Sequence, residues 1–146
     1  IRGMHYQVGK FNETKIISCI KGKIYDVIID LRKNSKNYLK YFGITLSEKN
    51  RKSLIVPKGY AHGFQVLEDN TYLIYFHSEV FKKNFEKSIN PLDPIVGIKW
   101  KQNLKKIFSN KDIKSKYLTQ IDIANGFKIK WNAEVVVPIK LLNLLI

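Results

Sequence analysis

The chain of 146 residues holds one cysteine, Cys19, so no intrachain disulfide can form, and a reducing compartment fits better than a secreted one. Arginine is almost missing: only Arg2, Arg32 and Arg51 accompany a large excess of lysine. Prolines number four, and no apolar run approaches the roughly 20 residues of a membrane helix. There is no P-loop, no GxGxxG turn, no internal repeat and no recognisable signal peptide. The three histidines, His5, His62 and His77, lie far apart, without the His-x-His, Glu, later-His spacing of a metal-binding barrel. A metal centre is therefore not expected.

What is present is charge and β-branched bulk. The formal charge is +14, from 26 basic and 12 acidic residues. It points either to an anionic partner, such as nucleic acid, a membrane or a phosphorylated small molecule, or to compositional drift in a Lys-, Ile- and Asn-rich chain. The lysines are scattered, whereas nucleic-acid readers rely on arginine forks and basic stripes. Nucleic-acid and membrane partners are accordingly not expected. The 45% of apolar residues suffice for one folded core.

Strand patterns dominate the first hundred residues. Runs over Lys15–Ile20, Ile24–Leu31, Tyr38–Leu46, the segment from Ser53, Ala61–Leu67 and Thr71–Ser78 are β-branched and aromatic, broken by "KGK", "KNSKN", "SEKN" and "EDN". This 8–12-residue recurrence suits a sandwich or small barrel. "NPLDPIVGIKW" (Asn90–Trp100), with two prolines, reads as a loop crossing an edge. "KQNLKKIF" reads as a short helix and "SNKD" (Ser109–Asp112) as a cap or turn. From Val135 to Ile146 the chain is an apolar run whose placement the sequence leaves open.

Each candidate functional residue has an ordinary reading when taken alone. His5 suits a hydrogen-bonded core histidine, His62 a turn-edge residue, Tyr75 a core tyrosine, and Lys15 and Lys111 solvated lysines. Arg2 and His5 differ by an odd offset, so a regular strand points them to opposite faces. A bend or bulge at Gly3 would bring both to one cavity.

Read in order, "IRGMHYQ", "CIKGKIYDVIIDLR", "GITLSEKNRKSLIVPKGYAHGFQVLED", "YLIYFHSEVF" and "SNKD" resemble the dTDP-4-dehydrorhamnose 3,5-epimerase family over about residues 1–118. The resemblance implies an all-β, cupin-type jelly roll (a β-sandwich or barrel) with a short C-terminal helical or irregular segment. It divides the chain into an epimerase-like domain, 1–118, and a tail, 119–146. It implies an isomerase acting on a dTDP-linked 4-keto-6-deoxy sugar at carbons 3 and 5 through an enolate, in deoxysugar and surface polysaccharide (lipopolysaccharide) biosynthesis. No metal or other cofactor is implied; a cytoplasmic homodimer is.

By the same resemblance, His5 is the base and Asp112 its dyad partner. Lys15 steadies the enolate oxygen and Tyr75 returns the proton. Arg2, His62, Glu86 and Lys111 contact the nucleotide sugar, with the cations serving its diphosphate. The family's segment before "RG-x-H" has no counterpart here, so "IRGMHYQ" is expected to be an internal strand exposed by truncation, in a fragment that need not be active. The family's "W-N-D" is "PLD" (Pro91–Asp93), and its aromatic pair is Val80–Phe81. Val80 leaves epimerisation at carbon 3 alone as an alternative. A non-catalytic sugar-nucleotide-binding cupin and a basic nucleic-acid-binding β domain are the others.

Overall fold

The computed structural model describes residues 1–102 and 106–127. Eight strands run in chain order: β1 (Arg2–Gln7), β2 (Lys15–Lys21), β3 (Lys23–Asp30), β4 (Tyr41–Ser47), β5 (Ser53–Val56), β6 (Tyr60–Val66), β7 (Tyr72–His77) and β8 (Glu86–Ser88). They form two antiparallel sheets, one of order β4-β3-β6-β1-β8 and one of order β5-β2-β7. Two short helices follow, α1 (Asn110–Ile113) and α2 (Gln120–Asn125). The fold is the all-β sandwich that the strand spacing suits, in the jelly-roll form that the resemblance implies.

The break between β2 and β3 moves the chain from one sheet to the other. Gly22 sits there with φ 74°, and a Cβ on it would meet the Thr71 hydroxyl at 2.4 Å. Only glycine fits that corner without displacement. The "SEKN" turn closes reciprocally: the Asn50 side-chain oxygen accepts from the Ser47 amide at 3.0 Å, and the Ser47 hydroxyl accepts from the Asn50 amide at 3.1 Å.

Two apolar layers flank the five-stranded sheet. Ile17, Cys19, Ile24, Ile28, Leu46, Leu54 and Val56 fill the space between the sheets. On the other face, Met4, Tyr6, Tyr25, Val27, Ile29 and Leu31 pack under Ile89, Val96 and Trp100. Strand β3 is thus covered on both sides, and seven of its eight residues are buried. That explains its unbroken apolar run in place of a polar alternation.

Some boundaries differ from expectation. The strand foreseen from Tyr38 begins at Tyr41, because Leu39 turns with φ 60° and its amide donates back to the Asp30 carbonyl at 2.8 Å. Strand β8 has only three residues, too few for a pattern. The helix expected in "KQNLKKIF" falls partly on residues 103–105, outside the described residues; the described positions on either side are not helical. The apolar run from Val135 to Ile146 lies outside them altogether.

The loop Asn90–Trp100 is laid down by its own polar groups. The Asn90 amide donates to the Ile113 and Ser115 carbonyls at 3.0 and 2.9 Å, and the Asp93 carboxylate accepts from the Leu118 amide at 2.6 Å. Trp100 donates its indole N–H to the Pro91 carbonyl at 2.8 Å and sets its ring edge-on to Tyr25. Through these contacts the segment after β8 is held beside β1, and this brings α1 to the functional residues.

Candidate functional site

Strand β1 pairs with β6 through Arg2↔Phe64 and His5↔His62, with a register shift between the two pairs. One residue too many stands between them, and the bend foreseen at Gly3 is there. Gly3 has φ +125°, and a Cβ on it would lie 2.5 Å from the Gly63 Cα. Gly63 returns the constraint: its own Cβ would meet the Met4 sulfur at 2.5 Å. The two glycines let the backbones close at the bulge. Arg2 is left on the side where its charge acts on Tyr75.

His5 lies half-exposed just past this bulge. Its Nε2–H donates to Asp112 Oδ1 at 2.6 Å, and its Nδ1 stands 3.9 Å from Glu86 Oε1. Asp112 is 1% exposed and takes a second hydrogen bond, from the Gly3 amide at 3.3 Å. The "SNKD" cap foreseen from sequence creates this placement. Ser109 accepts from the Asp112 amide at 3.1 Å, fixing α1 so that Asp112 turns inward. Its neighbour Lys111 turns outward and donates to Glu86 at 2.6 Å. The result is a continuous chain from Lys111 through Glu86 and His5 to Asp112.

A cavity of ≈ 190 Å³ opens beside His5. Strand β1 contributes His5, Tyr6 and Gln7, and the β2 wall contributes Glu13 and Lys15. His77, Phe81 and Glu86 complete the lining. The Lys15 ammonium is 3.2 Å from the Glu13 carboxylate, which is 7% exposed. The volume is below the about 300–1,000 Å³ typical of a complete ligand site, so it suits the reacting part of a larger molecule.

Tyr75 and His62 stand one layer further in. Tyr75 stacks on His77, with ring centroids 5.9 Å apart, and meets His62 edge-on at 6.0 Å. Burial, and then the Asp26 carboxylate, push its phenol well above the usual tyrosine range, while the Arg2 charge pulls the other way. His62 is 6% exposed and bonded at 2.5 Å to Asp26, whose other carboxylate oxygen has no partner among the described residues.

The structure therefore places His5, Lys15 and Glu86 in the lining of one hollow, with Asp112 behind His5 and Lys111 on Glu86, while Tyr75, His62 and Arg2 are not part of that lining. Sequence reading passed over Gln7, Glu13 and His77. Gln7 and Glu13 stand two residues from His5 and Lys15, an even offset that keeps side chains on one face of an extended chain. Gln7 also clamps the rim, accepting from the Lys82 amide at 2.7 Å and donating to the Val80 carbonyl at 3.3 Å. His77 is the cross-strand partner of Lys15, a relationship only the register reveals. Among the described residues no group of three or more His, Cys, Asp or Glu is placed to hold a metal ion.

Two sheets around a hollow lined by ionisable side chains from both define a cupin-type β-barrel scaffold. A family model for dTDP-4-dehydrorhamnose 3,5-epimerase matches residues 1–120, and the chain belongs to that family. The dTDP-4-dehydrorhamnose 3,5-epimerase of Shigella flexneri is 35% identical over 123 residues, which are 84% of this chain and 67% of that protein. The one from Methanothermobacter thermautotrophicus is 39% identical over 100 residues, 68% of this chain and 54% of that protein. The chain thus spans between about half and two thirds of these relatives. The crystal structure of dTDP-6-deoxy-D-glucose-3,5-epimerase from Legionella pneumophila, in complex with dTDP-4-keto-L-rhamnose, aligns with TM-score 0.80 and 32% identity. That alignment covers 90% of this chain and 69% of the Legionella chain.

Proposed function

We propose that the protein epimerises a dTDP-linked 4-keto-6-deoxy sugar, carrying dTDP-4-dehydro-6-deoxyglucose to dTDP-4-dehydrorhamnose. The observation that carries this reading is the His5–Asp112 pair facing Lys15 across one cavity. A 4-keto group acidifies the hydrogens on carbons 3 and 5. Removing one needs a base, a cation at the developing enolate oxygen and a donor on the other face.

His5 fits the base. Asp112 occupies its Nε2, which leaves Nδ1 to take the proton, and the carboxylate stabilises the imidazolium that results. Lys15 sits where an ammonium can draw electron density onto the ketone oxygen, and Tyr75 is the donor on the opposite sheet. The raised pKa of its phenol makes it a weak acid at rest and a strong base once deprotonated, so it regains a proton readily. Arg2 and Lys111 are suited to the nucleotide sugar outside the cavity, Glu86 to its contact at the lining, and His62 to supporting Tyr75 from beneath. None of these steps calls for a metal or redox cofactor.

The epimerase-like unit is taken as residues 1–118, with the tail from 119 outside it. No helix among the described residues is long and apolar enough to cross a membrane. A cytoplasmic setting in surface polysaccharide synthesis, without nucleic-acid partners, follows from the substrate proposed. Ile20, Tyr72, Ile74 and Phe76 lie exposed on β2 and β7, an apolar surface suited to a homodimer.

Incubating the full-length protein with the keto sugar in deuterated water tests the reading. Deuterium at carbons 3 and 5 is the expected result, lost in His5→Ala. Label at carbon 3 alone would give the one-carbon variant. Binding of the nucleotide sugar without any exchange would leave a non-catalytic binder, and the epimerase reading would be abandoned.

A further inference from the structure

Glu13 holds two side chains at once, an ammonium and an imidazole. One carboxylate oxygen lies 3.2 Å from the Lys15 ammonium, and the other is 2.8 Å from His77 Nδ1. It is 7% exposed, so its charge is poorly screened and its partners are tightly oriented. Two further bonds fix the arrangement. The Thr14 amide donates to the Ser78 hydroxyl at 2.9 Å, and the Ser78 amide donates to the Thr14 carbonyl at 3.0 Å. They lock the residues next to Glu13 and His77 together.

His77 lines the cavity that His5 lines, but from the other sheet. Because Glu13 accepts the Nδ1 proton, Nε2 is the nitrogen free to exchange one. The cavity therefore carries two carboxylate-held imidazoles, His5–Asp112 on β1 and His77–Glu13 on β7. Tyr75 lies against the His77 ring at 5.9 Å with the planes 20° apart, so His77 stands between Tyr75 and the hollow.

We infer that His77, held by Glu13, is a third proton-transferring residue of this site, beside His5 and Tyr75, and returns the proton at one of the two carbons on the face of the sugar opposite to His5. The inference rests on the epimerase reading above. In the step, His5 Nδ1 takes the hydrogen from the carbon beside the ketone, and the bonding pair moves onto the ketone oxygen next to Lys15. The enolate then collapses, and its carbon takes the proton from His77 Nε2 while the carbonyl re-forms. His5 ends protonated and His77 one proton short. Their side chains are 27% and 44% exposed, so water resets both before the next turnover.

The experiment uses the full-length protein with dTDP-4-keto-6-deoxyglucose in deuterated water, comparing parent, His5→Ala, His77→Ala and Glu13→Gln. His77→Ala is expected to slow deuterium incorporation at one of the two carbons on the order of 100-fold, and added imidazole to restore at least tenfold of that loss. Glu13→Gln is expected to lie between parent and His77→Ala. Incorporation by His77→Ala within twofold of the parent overturns the proposal, as does a loss that imidazole leaves untouched. A parent that incorporates no label overturns the epimerase reading and this inference with it. Loss in His5→Ala alone keeps the former and rejects the latter.

Discussion

Asp112 holds its carboxylate 2.6 Å from the His5 ring although 107 positions separate the two residues. The contact joins the first strand to a four-residue helix that has little to stabilise it alone. What fixes that helix is the Ser109 cap, the Gly3 amide on Asp112 and the Asn90 amide on the carbonyls just beyond it. Asp112→Asn keeps the shape and removes the charge. Deuterium exchange at the sugar is expected to fall on the order of 100-fold. Circular dichroism should show a sheet content indistinguishable from the parent.

The close approach of Gly3 and Gly63 gives a different kind of prediction. Gly3→Ala puts a Cβ into the Gly63 backbone and into a φ that side chains rarely adopt. Stability should drop by more than about 1 kcal/mol, because the change acts on the folded backbone itself. The denaturation midpoint measures it. Exchange activity should drop as well, since Arg2 and His5 leave the bulge on changed headings.

Trp100 tests the outer layer. It is 2% exposed, with its indole N–H bonded to Pro91 and its ring edge-on to Tyr25. Trp100→Ala should cost about 3–5 kcal/mol in urea unfolding. The Asn90–Trp100 loop also anchors the strand-to-helix segment, so the same variant should loosen Asp112 and depress exchange even where the protein remains folded.

Acid response is set by Asp30. Burial would raise its carboxyl, but the Arg32 guanidinium, the Ser35 hydroxyl and the Arg32 amide outweigh burial and hold it below the usual 3.8. A carboxyl lowered by folding stabilises the native state above its unfolded value, and that contribution is lost as pH falls through the lowered folded value. Asp30→Asn should therefore be less stable than the parent near neutrality, with the difference shrinking below about pH 4. Urea midpoints at pH 6 and pH 3 measure the change.

The strands were legible because their causes are local. Ile24–Leu31 and Ala61–Leu67 carry β-branched and aromatic residues between turn formers, and the sheets follow. Tyr38 misled because Leu39 turns under a tertiary bond to Asp30, which no propensity encodes. The "SNKD" cap was visible as a cap, but its service to His5 was not deducible from spacing. Glu13 and His77 went unassigned for the same reason: they are sixty-four positions apart, and only the β2–β7 register sets them together. Family resemblance named His5, Lys15, Tyr75 and Asp112; the register and the Gly3 bulge account for where they stand.

The buried aspartate at position 112 is synthesised long after the histidine it serves. Both sheets can assemble from residues 2–88 before α1 reaches β1. A nascent or clipped chain would thus own these eight strands with an unaligned His5, and the His5–Asp112 pair would arrive as a late docking event, separate from the folding of the sheets.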